Sequence, residues 1–219
     1  CSFNTSHFLS ISCYLKKGSG IMEELSIILK DCLEKSRKSY AKVIFICIGT
    51  DRSTGDSYGP ITGTLLEKEG FTVYGTLKKP IHAKNLENAL TDIDTENNLV
   101  IALDASLGDM KNVGQIFIKS KPIRPGSAFG KTLPKVGDIS ITPIVGTSGA
   151  LDFMILQNTS LCRIVDFAEK TVEIIKEVFN NTDISEDLDN GEIYDRTTGE
   201  TVVDISCATS SQINKLLEG

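Results

Sequence analysis

The chain has 219 residues, of which 40% are hydrophobic and 24% charged, so it is long enough for one full-sized domain with a substantial core. Its net charge of −6, with no run of more than two basic residues, argues against nucleic acid as a partner. The six cysteines form no C-x-x-C pair, which argues against a zinc site or a thioredoxin motif and favours a reducing, cytoplasmic setting. We expect no cofactor and no bound metal. We also expect no membrane partner, because no apolar stretch reaches the roughly 20 residues that a transmembrane helix needs.

The first half of the chain predicts helices that alternate with strands. Residues 1–20 lack the basic start of a signal peptide and are expected to be an N-terminal extension. Apolar residues at helical spacing predict a helix over 21–39, and the apolar, β-branched run 42–48 predicts a buried strand. The following elements are a helix that begins near Asp56 or Ser57 and ends at Gly70, a strand at 71–74, a helix at 85–93 and a strand at 99–103.

The second half continues the alternation and ends in an acidic extension. Strands are predicted at 114–119, near an edge of the sheet, and at 138–145, where Pro143 predicts an edge position or a bulge. Between them lies a loop rich in Pro and Gly, 120–137, of a length that is usually functional or mobile. A long amphipathic helix follows at 160–180.

This order of elements predicts an α/β fold over residues 21–180, a three-layer α/β/α sandwich with a mostly parallel or mixed sheet. Residues 181–219 are expected to be an acidic linker and a C-terminal extension. The linker covers 181–190, and beyond it we expect a small hairpin with strands at 193–195 and 201–203, then a short helix over 209–217.

Two aspartates at strand ends are the candidate catalytic pair. Asp56 lies in the loop G-T-D-R-S-T-G-D-S-Y-G-P (49–60) after the first strand, and Asp104 directly follows the strand at 99–103. Because ligands of α/β sheets bind at the carboxyl ends of strands, we expect the two side chains to meet in one cleft. Two carboxylates in one cleft can share a proton, hold a water nucleophile and activate a peptide carbonyl.

Each candidate also has a structural interpretation. Asp56 can cap the helix, and Asp104 can anchor its loop by accepting bonds from backbone N–H groups. Asp51 can replace Asp56 as the partner or stabilise the turn, the interpretation that we favour. His82 is either a third member of the site or a structural histidine, and Asn85 is the expected N-cap of the helix that follows.

Three other chemistries are disfavoured by the residue patterns. The glycine-rich loop 49–59 could cradle a phosphate, but it lacks the pattern G-x-x-x-x-G-K-S/T and its two aspartates would repel an anion. The segment G-T-S-G (146–149) does not match the nucleophile elbow G-x-S-x-G. Cys47 lies within a predicted buried strand, which argues against a nucleophilic thiol.

The motifs resemble the YyaC-type spore protease family of endospore-forming bacteria. The resemblance covers about residues 40–180 and is carried by the loop 49–60, H-A-K-N-L (82–86), L-D-A-S-L-G (103–108) and P-G-S-A-F-G-K (125–131). This family is related to the germination protease, which degrades small acid-soluble spore proteins, and to the hydrogenase maturation endopeptidases. The relation implies a phosphorylase/hydrolase-like sandwich, and activity in the YyaC branch is inferred from these relatives.

The resemblance also implies site residues. In the germination protease a proposed pair of catalytic aspartates lies in D-x-x-G-P and D-A motifs, which Asp56 in D-S-Y-G-P and Asp104 in D-A-S match. In the hydrogenase endopeptidases a histidine after the second acid helps to bind the nickel of the substrate, whereas His82 precedes Asp104. The binding residues that we expect beside the catalytic pair are Asp51, Ser57, His82, Asn85 and Ser127.

On this basis we expect a sporulation-associated peptidase of the forespore or spore core that hydrolyses peptide bonds through the aspartate pair. Its partner would be a protein or peptide substrate, with small acid-soluble spore proteins as the class that the resemblance implies, and a homo-oligomer is left open. One alternative is a non-catalytic sporulation protein that uses the cleft for binding. The other is a metal-dependent peptidase of the hydrogenase maturation type, with Asp56, Asp104 and His82 as ligands.

Overall fold

The computed structural model describes residues 20–36, 40–126, 133–180, 192–195 and 200–203. The predicted extension before Gly20, the acidic linker 181–190 and the predicted helix 209–217 therefore lie outside the described residues. Within the described ranges the chain forms α1 Gly20–Glu34, β1 Val43–Cys47, α2 Tyr58–Lys68, β2 Val73–Tyr74, α3 Leu86–Thr91, β3 Leu99–Leu103, β4 Ser106–Gly108, β5 Ile116–Lys119, β6 Ile139–Thr147, α4 Asp152–Gln157, α5 Leu161–Asn180, β7 Glu192–Asp195 and β8 Glu200–Val203.

Six of the strands form one mixed sheet. Parallel pairing joins β2 to β1, β1 to β3, β3 to β6 and β6 to β4, and β5 pairs with β6 in the antiparallel sense. The predicted hairpin is confirmed, since β7 and β8 pair antiparallel as a separate two-stranded sheet. None of the described helices is long and apolar enough to cross a membrane.

Apolar side chains cover both faces of the central strands, because alternate residues of a strand point to opposite faces. On one face, Phe45 of β1 and Ile101 of β3 pack in a cluster with residues of α1, α2 and α5. On the other face, Ile46 and Val100 pack in a second cluster with Leu86 of α3. Helices on both faces of a mixed sheet confirm the three-layer α/β/α sandwich that the sequence predicts.

Most predicted elements are present, with shifted ends. The first helix ends at Glu34 instead of residue 39, and the strands predicted at 42–48 and 99–103 are β1 and β3. The second helix ends as predicted: Gly70 adopts a φ of +89°, and its N–H donates to Glu67 O while the Phe71 N–H donates to Leu66 O. Two short elements, β4 and α4, were not predicted from the sequence.

The prediction at Pro143 is half right. An edge position is wrong, because β6 pairs with β3, β4 and β5. A bulge is correct: Ser106 of β4 pairs with Ile144, but the next residue, Leu107, pairs with Gly146. One extra residue, Val145, therefore enters β6 two positions after the proline.

Candidate active site

A tight loop after β1 brings Asp56 back to the end of that strand. Gly49 adopts a φ of +144°, and a Cβ there would lie 2.0 Å from the carbonyl oxygen of Asp56. The Thr50 N–H donates to that same oxygen at 3.1 Å, which closes the loop. The loop therefore needs glycine at position 49, since any side chain would push Asp56 away from the strand.

Asp56 does not cap α2. It lies in a 3₁₀ turn, Gly55–Ser57, and the N-cap position belongs to Ser57, with no capping bond from its side chain. The Ser57 hydroxyl donates instead to Thr54 O at 2.6 Å. Ser57 therefore occupies the N-cap position without capping the helix through its side chain.

Asp104 follows β3 directly and faces the same side of the sheet as Ala102. Ala102 belongs to the cluster beneath α3, and alternation places Asp104 on that face. Its backbone N–H donates to Ile141 O of β6 at 3.4 Å, which extends the pairing of β3 with β6 to this residue. This hydrogen bond fixes the backbone of Asp104 at the carboxyl end of β3.

Both aspartates line one cleft of about 660 Å³. Its floor is one face of the sheet, where alternate residues of β5 and β6 face the cleft and the residues between them face the core. These floor residues are Phe117, Lys119, Ser140, Thr142 and Ile144. The cleft is of the size that holds small ligands or a few residues of a peptide.

The surroundings of the two carboxyls favour their protonated forms. Burial raises the pKa of Asp56 from 3.8 to about 6, although a backbone N–H of Thr50 opposes the rise. Burial also raises the pKa of Asp104 well above its usual range, and the charge of Asp56 raises it further. Because the charge of Asp56 raises the pKa of Asp104, the arrangement favours ionisation of Asp56 before Asp104.

Basic residues line the same cleft on β5 and in the segment after it. We call Lys119, Lys121 and Arg124 the cationic wall. The Lys119 ammonium lies 4.9 Å from the centroid of the Phe117 ring. Burial lowers the pKa of Lys119, and the nearby charge of Lys121 lowers it further.

The cationic wall and a third acid of the cleft, Asp152, were not predicted as site residues. Asp152 lies on α4, and its Oδ1 accepts the Gly149 N–H at 2.6 Å. One signal was present: Ser140 and Thr142 are polar at alternate positions of a strand, which indicates that one face of β6 is not covered by apolar residues.

His82 and Asn85 close the loop before α3 and do not line this cleft. Asn85 Oδ1 accepts the His82 N–H at 2.8 Å, and Asn85 Nδ2 donates to Pro80 O at 3.0 Å. His82 Nδ1 accepts the Lys84 N–H at 3.3 Å. Asn85 holds the predicted N-cap position, but its side chain bonds to the loop before the helix. A binding role for either residue stays a prediction.

The other predicted binding residues either do not line the cleft or lie outside the part of the chain that the structure describes. Asp51 is exposed in the turn after β1, and Ser57 is buried beneath the start of α2; neither lines the cleft. Ser127 lies outside the described residues. Their roles in binding stay predictions.

The metal-dependent alternative loses its expected ligand set. In the part of the chain that the structure describes, no group of three His, Cys, Asp or Glu residues is placed to hold a metal ion. The expected triad of Asp56, Asp104 and His82 does not appear as such a group, and His82 does not line the cleft.

Comparison with known proteins identifies the family. Residues 14–174 match the family described as "Protein of unknown function (DUF1256)". The chain belongs to this family. A further relative is the "Uncharacterized protein YyaC" of Bacillus subtilis (strain 168), which is 41% identical over 156 residues that cover 69% of this chain and 75% of that protein. The resemblance to YyaC-type proteins expected from the motifs is therefore confirmed.

Two solved structures are distantly similar to this member of the DUF1256 family. The NiFe hydrogenase maturation protease HycI from Thermococcus kodakarensis KOD1 is 19% identical, with a TM-score of 0.47 over 70% of this chain and 99% of that chain. HybD, a NiFe hydrogenase maturation protease from Thermococcus kodakarensis, is 13% identical, with a TM-score of 0.40 over 63% of this chain and 98% of that one. At this level of similarity the two structures carry no argument about activity.

Proposed function

We propose that this chain is a peptidase in which Asp56 and Asp104 activate a water molecule. The observation that carries the proposal is that both carboxyls line one open cleft and that the charge of Asp56 helps to keep Asp104 protonated. Two acids with unequal proton affinity provide a base and an acid at the same point. The match of Asp56 and Asp104 to the germination protease motifs supports the same pair.

The roles follow from the two protonation states. The Asp56 carboxylate takes a proton from water as the water oxygen bonds to the peptide carbonyl carbon, and the Asp104 carboxyl gives its proton to the carbonyl oxygen. The intermediate that forms is a neutral diol. As the C–N bond breaks, protonated Asp56 gives its proton to the leaving nitrogen and Asp104 regains a proton from a hydroxyl of the diol. Both acids thereby return to their starting states.

We propose a polypeptide as the substrate, acted on in sporulating cells. The floor of the cleft is the face of a sheet, where an extended chain can lie across β5 and β6. The link to the forespore or spore core, and to small acid-soluble spore proteins, is supported by the motif resemblance of residues 40–180 to the YyaC-type spore proteases.

The test compares the wild-type chain with Asp104→Asn and with Asp92→Asn. Each purified protein is incubated with an extract of spore proteins, and new peptide termini are identified by mass spectrometry. Asp104→Asn keeps the shape of the side chain but cannot act as the acid, so we expect a loss of roughly 10²–10⁴-fold in cleavage rate. Asp92 is exposed outside the cleft, so its variant should cleave as the wild type does.

A chelator distinguishes the proposal from metal-assisted hydrolysis. We expect wild-type cleavage to persist in excess chelator, because the aspartate pair supplies both proton transfers. Cleavage that stops with the chelator and returns with added metal would contradict the proposal. Wild-type protein that cleaves nothing but retains a spore protein would instead show that the cleft serves binding.

A further inference from the structure

The cationic wall places positive charge in the cleft of an acidic protein. The chain carries a net charge of −6, yet Lys119, Lys121 and Arg124 line the same cleft. Lys119 is half-buried on β5, whereas Lys121 and Arg124 are exposed. The local charge is therefore opposite in sign to that of the whole chain.

The cationic wall has no anionic partner among the residues that the structure describes. The ion pairs Lys35–Asp31 and Lys176–Glu69 both lie outside the cleft, and neither includes a residue of the cationic wall. The side chain of Lys119 instead lies over the Phe117 ring. Like charges that share one cleft repel each other, and an anion between them would relieve that repulsion.

The register of the sheet gives the separation between the cationic wall and the aspartates. Ala102 of β3 pairs with Ser140 of β6, and Ser140 pairs with Lys119 of β5. Adjacent strands lie about 4.8 Å apart, so the backbone of Lys119 is about 10 Å from that of Ala102. Asp104 lies two residues, or about 7 Å, beyond Ala102 on the same face, so its backbone is about 12 Å from that of Lys119, a distance that an extended peptide spans in three to four residues.

We propose that the cationic wall binds a carboxylate of the polypeptide substrate, about three to four residues from the bond that faces Asp56 and Asp104. This assignment rests on the proposed function, because the aspartates define the position of the bond. The carboxylate belongs to a Glu or Asp side chain or to the C-terminus of the substrate. Arginine and lysine side chains bind either form through charge-assisted hydrogen bonds.

A polypeptide carboxylate fits the cleft better than a nucleic acid does. Asp56, Asp104 and Asp152 line the same cleft and would repel the successive phosphates of a polynucleotide. A peptide can place one carboxylate at the cationic wall and leave neutral backbone at the aspartates. The distribution of charges therefore favours a ligand with a single anionic group, which lies at one end of the site.

The test measures binding by the full chain carrying Asp104→Asn, which should bind without cleaving. The probes are fluorescent nine-residue Ser/Ala peptides with a central Glu or a central Gln, each with a free or an amidated C-terminus. We expect the amidated Glu peptide, or the free-acid Gln peptide, to bind at least tenfold more tightly than the amidated Gln peptide, a difference of about 1.4 kcal/mol. Tighter binding of the amidated Glu peptide would show that the cationic wall binds a side-chain carboxylate. Tighter binding of the free-acid Gln peptide would show that it binds a C-terminal carboxylate.

Substitutions in the cationic wall test whether the preference for a carboxylate arises there. Lys119→Gln and the exposed pair Lys121→Gln/Arg124→Gln should each reduce the preference to less than about threefold, whereas Lys119→Arg should retain it. Lys78→Gln removes the same charge from an exposed turn outside the cleft and should change nothing. Equal binding of all four peptides, no binding of any, or an equal loss in Lys78→Gln would overturn the proposal, as would tighter binding of a single-stranded oligonucleotide.

Failure of this inference and failure of the proposed function give different results. If the wild-type chain cleaves spore proteins at bonds with no carboxylate within four residues, the carboxylate proposal falls and the peptidase remains. If the peptides bind selectively through the cationic wall but the wild type cleaves nothing, the peptidase falls and the carboxylate site remains.

Discussion

At the scale of single residues, the surroundings of Asp56 and Asp104 disfavour the charge that the proposed chemistry needs. Burial raises the pKa of both carboxyls, and Asp56 must ionise beside Asp104 before it can act as a base. Ionisation of a buried carboxyl is more favourable in the unfolded chain, so the proposed base reduces stability above its usual pKa. The burial on which the proposed catalysis depends therefore weakens the fold.

This predicts a pH-dependent gain of stability in Asp56→Asn. The unfolded chain releases the Asp56 proton near pH 4 and the folded chain near pH 6, so the wild-type free energy of unfolding falls across that range. The rise in pKa from 3.8 to about 6 corresponds to about 3 kcal/mol at neutral pH. We expect the variant, relative to wild type, to gain about 2 kcal/mol more at pH 7.5 than at pH 4.5 in urea unfolding.

Asp92→Asn is the control for this measurement, since Asp92 is exposed outside the cleft. Its free energy of unfolding should follow the wild-type pH dependence. If Asp56→Asn also follows the wild-type curve, Asp56 does not ionise at the raised pH that its burial implies.

At the scale of elements, the contact of α2 with β1 positions the loop that carries Asp56. Gly59 and Gly63 lie one turn apart on α2 and face the end of the strand. A Cβ at position 59 would lie 2.1 Å from the carbonyl oxygen of Ile48. The other side of α2 is fixed by the Tyr58 hydroxyl, which lies 3.0 Å from Thr171 Oγ1 of α5. The helix is thus held on both sides immediately after Asp56.

Gly59→Ala should therefore destabilise the fold. Alanine gains up to about 1 kcal/mol over glycine in a helix, but a clash with backbone has no flexible side chain to absorb it and costs about 1–3 kcal/mol or more. We expect a net loss of up to about 2 kcal/mol in the free energy of unfolding, and lower activity as Asp56 shifts.

Gly149→Ala is the matched substitution, because nothing lies within 4 Å of a Cβ at that position. Its unfolding curve should differ from the wild-type curve by less than about 0.5 kcal/mol. Equal stability of the two alanine variants would show that α2 can move away from β1 at little cost.

At the scale of the whole molecule, the main core combines the first described helix, α1, with the last one, α5. Its buried residues run from Leu25 on α1 to Val178 on α5, and α1 and α5 pack on the same face of the sheet. The small sheet of β7 and β8 pairs within itself. Every core residue in the part of the chain that the structure describes lies within residues 20–180.

A protein of residues 20–180 should therefore unfold cooperatively, with a single transition in urea. A second truncation that begins at residue 40 provides the control. It removes Leu25, Leu29 and Leu33 from the core, so we expect it to lose the cooperative transition. A 20–180 protein without a cooperative transition would show that residues before 20 or beyond 180 contribute to the core.

The sequence by itself determined the central strands, the long helix and the position of the aspartates along the chain. The apolar runs of β1 and β3 are buried on both faces, so their patterns are unbroken, and α5 carries a continuous helical stripe. These are signals between neighbours in sequence. The placement of Asp56 and Asp104 in one cleft followed from them, because parallel strands end at one edge of a sheet.

The cationic wall, the third acid and the separation of His82 from the site were decided by the tertiary structure. Lys119 and Asp104 line one cleft because β6 pairs with both β3 and β5. This pairing joins segments that are far apart in the chain. The elements β4 and α4 are too short to show a periodic pattern, so Asp152 gave no local signal. His82 bonds to Asn85 and Lys84 and does not line the cleft. Pairing and loop closure of this kind depend on contacts between distant residues, which no local pattern of residue types records.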